Sequence, residues 1–215
     1  MSSVRTPPIR AIFFDFDGVL ADTEPLHYQC WAQVLAPQGI SFTWPHYVSE
    51  MVGLSNRQMV ELLCRQAGKT YSRDFFERCY AEKKVLYQGQ ILDCPMPDQL
   101  LGFVREQGSR YKMAVVSSSS RCEVEPPLIS RRVRQYFSAL VCEEDVENHK
   151  PAPDPYLHAL CVVNTGASRK IAAAECLVVE DSGPGLEAGC RAGMRVLRVP
   201  SPSEVLELVE RQLAA

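Results

Sequence analysis

The chain has 215 residues, of which 46% are hydrophobic and 23% charged, and its formal net charge is −3. That balance excludes a disordered or fibrous chain, and charges of both signs scattered along it leave no basic stripe for nucleic acid or an anionic membrane surface. No apolar run approaches the ~20 residues a membrane helix needs. Residues 1–8 lack the apolar core of a signal peptide and read as a loose tail. Nine cysteines stand at 30, 64, 79, 94, 122, 142, 161, 176 and 190 without a CxxC pair. An odd, unclustered set argues against a disulfide framework and against a zinc site. Reduced, mostly buried thiols in a cytoplasmic protein are the plainer reading.

The first predicted element is the run Ile12-Phe13-Phe14, which leads straight into Asp15, Phe16, Asp17 and Gly18. Continuous apolar character of this kind predicts a strand buried on both faces of a parallel sheet. With a period of two, Asp15 and Asp17 leave on the same side. The bland reading is a strand end with two solvated turn acids. Two neighbouring carboxylates at the end of so buried a strand are costly without a cation or a shared proton, which favours chemistry.

From Leu26 the pattern is helical, with His27, Trp31, Val34 and Leu35 on one face and a stop at Pro37-Gln38-Gly39. Ser55 and Gln58 form a capping box for a second helix, with Met59, Val60, Leu62, Leu63 and Ala67 inward and Gly68 at its end. Ser72 opens a third, striped by Phe75, Phe76, Cys79 and Tyr80. Residues 23–94 are thus expected to be all helical. Cys94-Pro95-Met96-Pro97 reads as a linker. Helix–strand alternation follows, with strands at Lys112–Ser117, Ala139–Cys142, Cys176–Glu180 and Arg195–Val199. The intervening helices are expected at 98–107, at 121–135 across Pro126-Pro127, from an Asp154 cap to Val163, and up to Gly193, with a last one capped by Ser203.

Alternation of this kind predicts an α/β fold, a doubly wound, mainly parallel, Rossmann-like sheet core with an inserted all-helical domain. The expected boundaries are 1–22 with 96–215 for the core and 23–95 for the insertion. Ligands of such sheets bind beyond the C-terminal strand ends, which places Asp15 and Asp17 at the mouth. Other segments deliver polar residues to the same mouth: Ser117 and Ser118 in a serine run, Glu180 and Asp181 after a buried strand, and Lys150 in a proline-locked loop. Taken singly, these read as a helix cap, a solvated turn and a surface charge. Taken together, convergent carboxylates suit a hard divalent cation such as magnesium. A lysine and a hydroxyl beside it suit a phosphoryl group. No P-loop and no GxGxxG is present, so a nucleotide cofactor is not indicated.

Asp15-Phe-Asp17-Gly-Val-Leu, Ser117, Lys150-Pro and Glu180-Asp181-Ser, in this order, resemble the four motifs of the haloacid dehalogenase superfamily. The helical insertion after the first motif resembles the cap of its β-phosphoglucomutase-like phosphatase branch. The resemblance implies that Asp15 is a nucleophile forming an aspartyl-phosphate and that Asp17 is the general acid and base. It implies that Ser117 and Lys150 hold the phosphoryl group. It also implies Mg²⁺ on Asp15, the Asp17 carbonyl and Asp181, with Glu180 nearby. An aspartate at position 17 points to phosphate esters, because superfamily members that cleave carbon–halogen or carbon–phosphorus bonds have none there.

Within the insertion, His27 and Gly53-Leu-Ser55 resemble features of the mutase cap, and Lys83 matches a cap lysine. The mutase arginine after that serine is replaced by Asn56, with Arg57 one place later. A one-residue shift on a helix turns a side chain by about 100°. The expectation is therefore a cytoplasmic, monomeric phosphatase of a small phosphorylated metabolite, a sugar phosphate, with His27, Ser118, Arg57 and Lys83 as substrate contacts. A sugar-phosphate mutase is the alternative, and a phosphoacceptor signalling module a further one. The prolines at both crossings predict a cap that opens and closes.

Overall fold

The computed structural model describes residues 7–52 and 54–214. The readings that fall on residues 1–6 and on Gly53 lie outside the described residues. Five parallel strands, β1 (Ala11–Phe14), β2 (Lys112–Val116), β3 (Phe137–Val141), β4 (Cys176–Glu180) and β5 (Arg195–Arg198), form one sheet in the order β3-β2-β1-β4-β5. The apolar first run occupies the centre, paired with β2 on one side and β4 on the other. Every residue of β1 is fully buried, as a strand with both edges paired and both faces covered requires. Ala11 and Phe13 pack with Ala114, Val116 and Val178 on one face. Asp15 continues that alternation beyond the strand end.

The chain divides into two compact units, Met1–Asp22 with Pro95–Ala215 and Thr23–Cys94. The second unit contains α1 (Glu24–Leu35), α2 (Trp44–Glu50), α3 (Asn56–Gln66) and α4 (Arg73–Gln88), and no strand among its described residues. The Ser55–Gln58 capping box is present, and Ser72 accepts from the Phe75 N–H at the start of α4. Periodicity missed α2, a short helix with Pro45 in its first turn and Thr43 accepting from the His46 N–H. Only Tyr47 of α2 is buried, so it carries no apolar stripe to read. Ala67, expected inward, is exposed, because α3 has already ended at Gln66.

The first unit completes its α/β layers with α5 (Asp98–Gln107), α6 (Arg121–Ser130), α7 (Asp154–Val163), α8 (Gly183–Arg191) and α9 (Val205–Ala214). The helix expected over 121–135 stops at Ser130. Pro126 and Pro127 lie inside it, Arg132 turns left-handed at φ 56, and Arg134–Tyr136 forms a separate 3-10 turn. Two caps differ from expectation. Pro153, not Asp154, precedes α7, and Ser203 sits inside the 3-10 turn Pro202–Glu204 rather than capping α9. No helix among the described residues is long and apolar enough to cross a membrane.

Candidate active site

Beyond β1 the Asp15 N–H still donates to Val179 O at 3.0 Å, so the strand's hydrogen bonding carries the first acid to the sheet edge. The chain then closes a tight loop. The N–H groups of Leu20 and Ala21 donate to Phe16 O at 3.0 and 3.1 Å, and Gly18 N–H donates to Ala21 O at 2.9 Å. Gly18 has φ +73, and a Cβ there would lie 2.1 Å from Asp181 Oδ2. Glycine thus serves both a left-handed turn and the close approach of the β1 and β4 ends.

At the end of β2, Ser117 N–H donates to Val141 O at 2.9 Å and its hydroxyl donates to Asp17 Oδ2 at 3.2 Å. The shorter contact on that oxygen comes from a residue the sequence reading passed over: Ser119 Oγ donates to Asp17 Oδ2 at 2.7 Å. Ser119 N–H in turn donates to Ser117 Oγ at 2.9 Å. Ser118 between them is exposed, while Ser117 and Ser119 are buried. Alternation along an extended segment was the available signal; if Ser117 points into the site, its second neighbour does too.

Lys150 donates to Asp15 Oδ1 at 2.7 Å, Glu180 Oε1 at 2.6 Å and Val116 O at 2.9 Å. Its side chain is 5% exposed, so this is a buried charge centre and not the surface lysine a loop usually carries. Glu180 is fully buried. Its Oε1 also accepts from the Tyr156 hydroxyl at 3.0 Å. Its Oε2 accepts from the N–H groups of Asp181 and Ser182 at 3.1 Å each and from Ser182 Oγ at 3.0 Å. Gly185 on α8 makes room for this carboxylate, since a Cβ there would sit 1.7 Å from Glu180 Oε1. Tyr156 is a second residue missed from the sequence, on the first turn of α7 after the proline-rich segment.

The charges are unequal. Burial would raise the Glu180 carboxyl, but Lys150 and the Ser182 hydrogen bonds outweigh it and hold Glu180 below its ordinary range. Burial would lower the Lys150 ammonium, yet Asp15 and Glu180 hold it well above its ordinary range. Burial raises the Asp15 carboxyl well above its ordinary range against the pull of Lys150, and Glu180, Asp181 and Asp17 add to the rise. One ammonium serves more carboxylates than it can neutralise.

Asp15, Glu180 and Asp181 each present a carboxylate oxygen, all within 4.8 Å of one another. An all-oxygen, partly buried, electron-rich donor set fits a hard divalent cation. Asp15, Asp181 and Glu180 could hold such a cation, and Glu180, whose oxygens accept from Lys150, Tyr156, Asp181 and Ser182, is also a counter-charge for Lys150.

In the insertion, the His27 ring stacks on Tyr87 with centroids 4.5 Å apart, and Lys83 Nζ lies 4.1 Å from the Tyr87 ring centroid. Lys83, expected from the resemblance to touch substrate, is fully buried. Trp31 Nε1 donates to Asn56 Oδ1 at 3.0 Å, and the exposed Arg57 lies over the Phe76 ring at 5.7 Å.

A family model described as haloacid dehalogenase-like hydrolase matches residues 12–199. The chain is 31% identical over 189 residues to the fructose-1-phosphate phosphatase YqaB of Escherichia coli (strain K12), covering 87% of this chain and 95% of that one. It is 29% identical over 187 residues to the phosphorylated carbohydrates phosphatase of Thermotoga maritima, covering 86% and 82% respectively. The structure of β-phosphoglucomutase from Clostridium difficile superposes with a TM-score of 0.75 at 21% identity, covering 96% of this chain and all of that one, a likeness of fold. With the motifs, the doubly wound core and the family match in agreement, the chain belongs to the haloacid dehalogenase-like hydrolases and is an enzyme of that family.

Proposed function

We propose that this chain is a Mg²⁺-dependent phosphoric monoester hydrolase that acts on a small phosphorylated sugar or polyol through an aspartyl-phosphate on Asp15. The observation that carries the reading is the buried carboxylate of Asp15, 2.7 Å from the Lys150 ammonium and close to Asp181 and Glu180. The matched relatives named for fructose 1-phosphate and phosphorylated carbohydrates support the substrate class.

In this reading an Asp15 oxygen attacks phosphorus while the ester P–O bond breaks, and Asp17 donates a proton to the departing alkoxide. Asp17 then takes a proton from water, whose oxygen attacks phosphorus, and the P–O bond to Asp15 breaks to release phosphate. Ser117 and Lys150 hold the equatorial phosphoryl oxygens, and Ser119 steadies Asp17. Asp15, Asp181 and the Asp17 carbonyl would hold Mg²⁺, which supplies charge neutralisation for the incoming dianion. His27, Arg57 and Ser118 remain the proposed substrate contacts, whereas Lys83, fully buried over the Tyr87 ring, is better placed to support the fold of the insertion than to touch substrate.

Hydrolysis is favoured over the mutase reading because Asn56 stands where the mutase has its arginine, and the Asn56 side chain accepts from Trp31 Nε1. The same reading takes the protein as a cytoplasmic monomer with its nine cysteines free. A panel of sugar, polyol and nucleoside phosphates, assayed for released phosphate with Mg²⁺, tests it. Release from a sugar or polyol phosphate that is lost in Asp15→Asn is expected. No release from any ester by the native protein would overturn it.

A further inference from the structure

The Lys150 ammonium has three acceptors, and two of them, Asp15 and Glu180, are carboxylates in competition for it. How far each draws the ammonium depends on what else neutralises it. Glu180 Oε2 is satisfied by donors from Asp181 and Ser182 within its own turn. Oε1 accepts from Lys150 and from one neutral donor, the Tyr156 hydroxyl at 3.0 Å. The same tyrosine presents its ring to Lys150, with Nζ 5.2 Å from the centroid, and it is fully buried in the sheet core.

We propose that Tyr156 is a positioning residue, whose hydroxyl takes up part of the Glu180 charge and thereby leaves the Lys150 ammonium shared with Asp15. This rests on the phosphatase reading only for its consequence on rate. The ring alone would serve packing, and phenylalanine would supply it. The hydroxyl does something further, because it is the group that touches Glu180. Without it, Lys150 is the donor left to Oε1, the ammonium moves toward Glu180, and the attacking carboxylate loses its nearest cation.

The test uses the full chain with Tyr156→Phe, a nearly isosteric change. With Mg²⁺ and the best ester of the panel, kcat is expected to fall about three- to tenfold with KM within about twofold. In a Glu180→Gln background the same change is expected to have no further effect, because the carboxylate it acts through is gone. In uniformly ¹⁵N-lysine-labelled, metal-free protein the Lys150 ammonium resonance is expected to shift in Tyr156→Phe, a readout a packing role would not move. A wild-type kcat with an unshifted ammonium signal would overturn the proposal, as would an equal loss of rate in both backgrounds. If the ammonium shifts while the native protein hydrolyses no ester, the positioning role stands and the phosphatase reading falls.

Discussion

Lys150 Nζ lies 2.6 Å from Glu180 Oε1, with side-chain exposures of 5% and 0%, and this pair organises the charge of the site. It leaves Asp15, 2.7 Å from the same ammonium, as the acid that burial and its neighbours push toward the neutral form. A cation beside Asp15 and Asp181 would resolve that imbalance.

The first prediction concerns stability and pH. Asp15 has a folded pKa above its unfolded one, so its contribution is fully present below the ordinary aspartate value of 3.8 and is lost as pH rises through the folded pKa. In metal-free buffer Asp15→Asn is therefore expected to melt above the native protein at about pH 7, with the gap closing toward about pH 4. Mg²⁺ is expected to raise the melting temperature of the native protein more than that of the variant. Phosphatase activity of Asp15→Asn is expected to fall by about a thousandfold or more. Equal melting temperatures of the two proteins across the pH range would contradict the charge argument.

Two glycines are tied to the acids they face. Gly185→Ala would put a Cβ 1.7 Å from Glu180 Oε1, and Gly18→Ala would put one 2.1 Å from Asp181 Oδ2 at a backbone φ of +73. Overpacking of this kind costs about 1–3 kcal/mol, and the left-handed turn adds about 1 kcal/mol at Gly18. Both variants are expected to lose activity, with Gly18→Ala melting lower. Gly68, where an added Cβ meets nothing within 4 Å, is the control for the left-handed turn alone.

The serines separate by exposure. Ser119→Ala removes the 2.7 Å hydrogen bond to Asp17 and is expected to lower kcat about tenfold. Ser118→Ala, at an exposed position, is expected to stay within about twofold. The reverse order would make the exposed Ser118 the more important of the two for turnover.

Cysteine reactivity should follow burial. Burial pushes the Cys142 and Cys176 thiols up to about 12, whereas Cys122, Cys161 and Cys190 are exposed. Alkylation of the native protein at mild pH is expected to label those exposed cysteines, with all nine labelled only after unfolding. Peptide mass mapping reads both states, and native labelling at Cys142 or Cys176 would contradict the burial.

What the sequence determined by itself lies where signals are local and periodic. The unbroken apolar run of β1 required a central strand because a strand covered on both faces admits no polar alternation. Capping chemistry at Ser55 and Ser72 marked helix starts, because a side-chain oxygen satisfies an N–H three residues on. Order and spacing put Asp15, Asp17, Ser117, Lys150 and Asp181 into one family's pattern. What escaped was set by contacts between segments remote in the chain. Ser119 is one of four consecutive serines until Asp17 meets it, and Tyr156 is an ordinary core tyrosine until Glu180 accepts its hydroxyl. Glu180 entered the sequence reading as an acid beside Asp181, near the expected metal. That it also lies 2.6 Å from the Lys150 ammonium depends on the loop before α7 meeting the end of β4, a relationship that periodicity along one strand or helix does not encode.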